Sequence, residues 1–317
     1  MIAAIGELMK HETAGDPVTG LKWTRRTTRK IAAELGKLGI VIGRNTVGRL
    51  LKEMRFSLRV NRKKLAGTVD PDRDEQFKYI GRLRDTFEKL GCPVISVDTK
   101  KKEMLGLFKN NGTAWAKEST AVNDHDFRSM ALGMAIPYGV YDTGADRGAL
   151  FIGTSHDTPA FAVDCIERWW RSEGRKRYGD AAGLLILADG GGSNGNRSHV
   201  WKRDLQEKLC ERHGLSVTVS HYPPGTSKWN PIEHRLFSAI SRNWAGRPLD
   251  SYETLLKYAR TTTTATGLKV RASLIRKPYK KSQKVSDKRM KELNLDKHAV
   301  LPKWNYTLRP ANHYPEI

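Results

Sequence analysis

From residue 94 onward the chain alternates short, densely apolar runs with stretches of helical periodicity, and few folds satisfy that alternation. Residues 94–97, 135–142, 149–153, 184–188 and 215–219 have the length and composition of buried strands. Residues 158–171, 200–213 and 232–244 carry helical spacing; Phe161, Cys165, Ile166 and Trp169 form one apolar stripe. Asn230 as cap and Pro231 at the first helical position open the third helix. Strand runs and helices in this order predict an α/β fold, a mixed sheet flanked by helices.

Upstream the pattern is helical. After Thr27 or Thr28, Ile31, Leu35 and Leu38 recur at i, i+4 and i+7. Residues 39–43 read as a turn, and Arg44-Asn45-Thr46 opens a second helix lined by Val47, Leu50, Leu51 and Met54. Two short helices joined by a tight turn resemble a helix-turn-helix, which would turn Arg44, Asn45, Thr46, Arg49 and Lys52 toward DNA. An ordinary helical hairpin with a solvated basic face is the alternative. A basic run at residues 59–64, with Gly67 and Pro71, reads as a linker, and residues 72–90 as a further helix with Phe77, Ile80, Leu83 and Phe87 on one face. The expected organisation is a helix-turn-helix region at 1–66, a catalytic domain at 67–267 and a basic tail at 268–317.

Charge narrows the partner. The net charge is +22, of which residues 21–64 carry +12 and residues 269–303 carry +9. Solubility does not require such segregation, whereas binding to a polyanion does. No apolar run approaches the roughly 18 residues that span a bilayer, and residues 2–8 are interrupted by Gly6 and Glu7, unlike a signal peptide. A cytoplasmic, nucleoid-associated protein is expected, with no membrane partner. Cys92, Cys165 and Cys210 are scattered without a CxxC pair, so buried thiols are expected rather than a zinc site or disulfides.

Three acids stand where metal-assisted phosphoryl transfer needs them. Asp98 ends the run 94–97, Asp189 ends the run 184–188 before Gly190-Gly191-Gly192, and Glu233 sits in the first turn of a helix. Cleaving a phosphodiester with water or a 3′-hydroxyl requires charge neutralisation at the attacking and leaving oxygens, which two metal ions about 3.5–4 Å apart provide. Mg²⁺ and Mn²⁺ favour oxygen ligands from rigid elements. A lone Asp at a strand end is ordinarily a turn residue; the glycine loop after Asp189, placed where α/β folds bind ligands, strengthens the functional reading.

The segment Pro223-Pro224-Gly225-Thr226-Ser227-Lys228-Trp229-Asn230-Pro231-Ile232-Glu233 resembles the signature of DDE transposases of the mariner-like and related insertion-sequence groups. Residues 97–103, 135–142, 188–196, 223–237 and 305–307 resemble the Rhodopirellula-type DDE transposases more closely, and the resemblance runs from about residue 23 to 310. It implies an RNase H-like fold with Asp98, Asp189 and Glu233 as the catalytic, metal-binding triad. It further implies Mg²⁺ or Mn²⁺ as cofactor, two ions, and strand cleavage and transfer of an insertion element. The implied partners are double-stranded DNA of terminal repeats and target, and further copies of the chain on paired ends. Members of this group carry more N-terminal sequence with further DNA-binding helices, so the alternative is a catalytically silent, truncated DNA-binding remnant or regulator.

Further residues have two readings each. Lys100, with Lys101 and Lys102, reads as a phosphate-facing cluster or a solvated charge run. Lys228 and Trp229 could grip DNA, with the indole stacking on a base, although a packed loop tryptophan is the commoner case. Arg235, with His234, faces a phosphate or simply the helix surface. His156-Asp157 reads as a structural hydrogen-bonded pair before a contact to DNA or metal, and Trp169-Trp170 as core.

Overall fold

The computed structural model describes residues 1–10, 13–15, 22–24, 27–56, 70–113, 116–226 and 229–311. The chain divides into two compact units, Met1–Ala66 and Gly67–Ile317.

The first unit holds α1 (Ile2–Lys10), a short antiparallel pair β1 (Thr13–Gly15) and β2 (Lys22–Thr24), α2 (Thr28–Lys37) and α3 (Arg44–Glu53). Thr27 caps α2, its Oγ1 accepting the Lys30 N–H at 3.2 Å. The end of α2 is set by Gly39 at φ +76°: Gly39 N–H reaches Gly36 O and Ile40 N–H reaches Leu35 O. That is a Schellman termination, which the glycine adopts without a Cβ penalty. The chain then turns through residues 40–43 into α3. Ile31 and Leu35 of α2 pack with Val47 and Leu50 of α3 and with Ile5, which leaves Arg44, Asn45, Arg49 and Lys52 exposed and Thr46 half-buried.

The second unit opens with α4 (Arg73–Lys89), β3 (Val94–Thr99), β4 (Glu103–Leu105), β5 (Gly133–Asp142) and β6 (Arg147–Gly153). There follow α5 (Pro159–Trp169) and α6 (Arg175–Arg177), joined by a π turn, β7 (Gly183–Asp189), α7 (His199–Leu205) and β8 (Ser216–Tyr222). The unit closes with α8 (Ser238–Asn243), α9 (Tyr252–Arg260), β9 (Lys269–Ile275), α10 (Asp287–Lys291), β10 (Leu295–Lys297) and β11 (Asn305–Leu308).

One nine-stranded sheet runs β10-β11-β8-β7-β3-β5-β6-β9, with β4 paired to β5. Its middle five strands lie in the order β6-β5-β3-β7-β8. Only β5 runs against the rest, because β3–β5 and β5–β6 are antiparallel while β3–β7 and β7–β8 are parallel. This is the RNase H-like arrangement. Helices cover both faces. Ile95, Val97, Tyr138 and Val140 pack under Phe161, Ile166 and Trp169 of α5 and Trp201 of α7, and Tyr141, Leu150 and Ile152 pack against Ile232, Leu236, Ile240 and Leu255 on the other side. Trp169 and Trp170 are both in the core. Cys165 and Cys210 are buried and Cys92 half-buried, all three as free thiols.

The described residues 268–311 do not form a separate tail. Within them β9 pairs in parallel with β6, and β11 pairs with β8 at the other margin of the sheet. In β9 the basic residues Lys269 and Arg271 occupy the exposed positions while Val270 and Ala272 point inward, so a period-2 strand hides inside a basic composition. Gln76 of α4 locks the far margin: its amide donates to Ser220 Oγ, His221 O and Asn305 Oδ1 at 3.1, 2.8 and 2.9 Å, and accepts from Asn305 Nδ2 at 2.7 Å. Buried amides are tolerated only when paired in this way.

Candidate active site

Strand register delivers two of the acids to one place. Val97 of β3 lies beside Ala188 of the parallel β7, so Asp98 and Asp189, each one residue on, emerge from neighbouring strand ends about 4.8 Å apart. Both line a cleft of about 420 Å³ with Thr99, Lys100, Lys101, Lys102, Asp157 and residues 191–194. The cleft therefore sits at the carboxyl ends of parallel strands.

Electrostatics couple the acids. Burial pushes the Asp98 carboxyl up to about 8; the negative charges of Asp189, Glu233 and Asp157 push the same way, against the Thr99 N–H that it accepts at 2.7 Å. Burial also raises Asp189, while the Gly191 N–H and the Asn194 amide pull it back and Asp157 pushes it further. Glu233 is raised by burial, eased by the charges of His234 and Lys100, and pushed up by Asp189. Asp189 Oδ1 is buried with no hydrogen-bond partner. Carboxylates raised by one another, with an unmatched buried oxygen and an all-oxygen donor set, fit a hard divalent cation. Among the described residues, however, no three His, Cys, Asp or Glu side chains stand close enough to surround one ion.

Supporting residues hold the two strand ends. Tyr138 OH donates to Asn194 Oδ1 at 2.8 Å, which leaves the Asn194 amide hydrogens for Asp189. His221, wholly buried, contacts Asp189 O through Nδ1 at 3.0 Å. A carbonyl only accepts, so Nδ1 carries the proton, and burial holds the imidazole neutral by lowering its pKa to about 4. After Asp189, Gly192 at φ +57° turns the chain so that Ser193 and Asn194 fold back under the cleft.

Glu233 comes from the opposite layer. Asn230 precedes the helix as expected, but its side chain does not cap it; Asn230 Oδ1 accepts from Ser96 Oγ, and Ser96 Oγ caps the Ile232 N–H at 3.1 Å. Residues 233–237 form a π turn before α8, a feature that clusters at functional sites. The helix sits tightly on the sheet because β5 and β6 carry glycines beneath it. A Cβ at Gly139, the register partner of Asp98, would stand 2.5 Å from Phe237, and one at Gly148 would stand 2.3 Å from Leu236.

The remaining candidates divide. Lys100 is only 9% exposed; it lines the cleft, and its ammonium pairs with Glu103 Oε1 at 2.6 Å and lies 4.6 Å from the centre of the Trp244 ring. Lys101 and Lys102 are the exposed members of that run. Arg235 is exposed on the helix surface. Trp229, 42% exposed, is tilted against Phe77 with the Arg73 guanidinium 4.7 Å from its ring centre. Lys228 lies outside the described residues. Arg44, Asn45, Thr46, Arg49 and Lys52 belong to the first unit, where Arg49 also pairs with Glu53 at 2.9 Å. Asp157 partners Thr99 Oγ1 at 3.1 Å and Lys102 at 3.8 Å. It lines the cleft beside the acids rather than serving only as a companion to His156, the reading that the sequence had ranked second for this pair.

A family model identifies the class. The family model described as Rhodopirellula transposase DDE domain matches residues 4–310. No curated protein matches the chain. Among solved structures, the Mos1 transposase paired-end complex with left transposon end has a TM-score of 0.43 at 13% identity, covering 81% of this chain and 69% of that one. The Mos1 mariner paired-end complex with Mn gives 0.43 at 15% identity, and that with Mg gives 0.41 at 13%, each over 81% of this chain and 69% of the other.

Proposed function

Because the chain belongs to the Rhodopirellula transposase DDE family, we propose that it cleaves and transfers DNA strands at the ends of an insertion element, with Asp98, Asp189 and Glu233 binding two divalent cations, Mg²⁺ or Mn²⁺. The observation that carries this reading is the pairing of Asp98 and Asp189 on adjacent parallel strand ends, where burial and the charges of Asp189 and Glu233 raise the Asp98 carboxyl. Two ions spread over three acids do not require all three around either ion, which accommodates the spacing of Glu233 from the strand pair. Bound there, such ions would supply activation of water or a 3′-hydroxyl and charge neutralisation at the leaving oxygen.

The chain's own residues do the rest. Asp98 and Asp189, from the strand ends, and Glu233, from the start of its helix, would hold the ions. Lys101 and Lys102, exposed at the cleft mouth, counter the phosphates of the bound strand. Arg44, Asn45, Thr46, Arg49 and Lys52 grip duplex DNA from the first unit, with Arg235, Lys228 and Trp229 as further contacts and a second copy of the chain on the paired end. Phosphate contacts of this kind fix position without reading sequence.

The test is a supercoiled plasmid carrying the element with its flanking DNA. Wild-type protein with Mg²⁺ is expected to nick at the element ends, and Asp189→Asn to retain the gel shift while losing cleavage by about 10³-fold or more, the scale of lost transition-state charge stabilisation. Equal cleavage by both proteins contradicts the assignment. Binding without cleavage by the wild type would make the chain a catalytically silent DNA binder.

A further inference from the structure

One hydroxyl ties the strand that carries Asp98 to the helix that carries Glu233. Ser96 is wholly buried in β3, two residues before Asp98 and therefore on the same face of the strand. Its Oγ donates to Asn230 Oδ1 and accepts the Ile232 N–H at 3.1 Å. Ile232 immediately precedes Glu233, so this bond joins the two acids' backbones with two residues on one side and one on the other.

Helix starts leave N–H groups that need partners. Here Pro231 has none to offer, Glu233 N–H reaches Asn230 O at 3.1 Å, and Ile232 N–H goes to Ser96. The cap thus comes from a distant strand. Asn230, itself wholly buried, spends its side-chain oxygen on Ser96 and leaves Nδ2 without a partner, a cost that an ordinary local cap would not incur. Downstream, the π turn links Ser238 N–H to Glu233 O, and Phe237 and Leu236 press into the spaces left by Gly139 and Gly148. Glu233 is held between anchored residues on both sides.

We propose that Ser96 and Asn230 are positioning residues, a buried clamp that fixes the Glu233 carboxylate relative to Asp98. The proposal rests on the assignment of Glu233 as the third acid made above.

The experiment compares Ser96→Ala, Ser96→Thr and Asn230→Ala by hydrogen exchange, DNA gel shift and plasmid cleavage across a Mg²⁺ series. Ser96→Ala is expected to speed amide exchange across residues 232–238 at least tenfold over wild type and leave α5 protected. The same variant should lower kcat about 10²-fold, the scale of an ångström-level misplacement, raise the Mg²⁺ needed for half-maximal rate, and keep DNA affinity. Ser96→Thr, which retains the hydroxyl, should restore exchange and rate to within a few-fold of wild type. Asn230→Ala should lose less, because Ile232 N–H keeps its partner. Unchanged exchange in Ser96→Ala, or wild-type cleavage by it, overturns the clamp; if that variant does not fold, unchanged exchange in Asn230→Ala does so. A wild type that cleaves nothing removes the proposed function, while the exchange data still decide whether Ser96 holds the Glu233 segment.

Discussion

Replacing Gly139 by alanine should damage activity far more than stability. An added Cβ would lie 2.5 and 2.9 Å from Phe237 ring atoms and 2.7 Å from Ile232 Cδ1, where ordinary contact begins at 3.4 Å. The shortfall is therefore about 0.9 Å, and neither neighbour has room: Ile232 is wholly buried and Phe237 nearly so. The segment must lift from the sheet, and Glu233 lies between those two residues. Overpacking of a core costs about 1–3 kcal/mol, which for a unit of this size lowers Tm by about 2–4 °C per kcal/mol. A displacement approaching 1 Å at a catalytic group costs about 10²-fold in rate. Differential scanning calorimetry and single-turnover cleavage on the plasmid separate the two effects. Gly81→Ala in α4 is the control: nothing lies within 4 Å of its Cβ position, and alanine in a helix interior gains about 0.5–1 kcal/mol. Cleavage by Gly139→Ala within twofold of wild type would refute the packing argument.

Other outcomes follow from the same structure. Asp98 has a folded pKa of about 8 against 3.8 for the free group, so in metal-free buffer the folded state keeps a proton that the unfolded chain has lost. Its contribution must then fall as pH rises from about 4 to about 8; Asp98→Asn should flatten that slope and melt above wild type at pH 8, and an unaltered Tm–pH profile would refute it. Gln76→Leu should lower the stability of the second unit by at least about 1–3 kcal/mol, because Asn305 and the His221 carbonyl lose a buried partner; a urea midpoint equal to wild type would refute it. Arg49→Ala is expected to weaken DNA binding evenly across sequences and to reduce the slope of log K against log salt by about 1; loss confined to one sequence would mark a base contact instead.

The five central strands were legible because buried strands are dense apolar runs, and the acids because each ends such a run or follows Asn230-Pro231-Ile232. Strand β9 was not, since Lys269 and Arg271 fill its outward positions and the basic count masked the alternation of Val270 and Ala272. Lys100 read as a phosphate contact from its place in a charge run; what the run does not disclose is its pairing with Glu103 beside the Trp244 ring, within the cleft lining. Asn230 stands just before the helix as the sequence placed it, yet the oxygen that caps the helix comes from Ser96, more than a hundred residues earlier, and local sequence carries no trace of that partnership. A serine inside an otherwise apolar strand was the one available hint, since a buried hydroxyl must find a partner.

The central claim is that Asp98, Asp189 and Glu233 together hold divalent cations. Mn²⁺ titration followed by electron paramagnetic resonance tests it without DNA or turnover. Wild-type protein is expected to bind Mn²⁺ saturably, Asp98→Asn to lose that binding, and Glu233→Gln to weaken it. Equal Mn²⁺ binding by wild type and Asp98→Asn, or none by the wild type, would contradict the account.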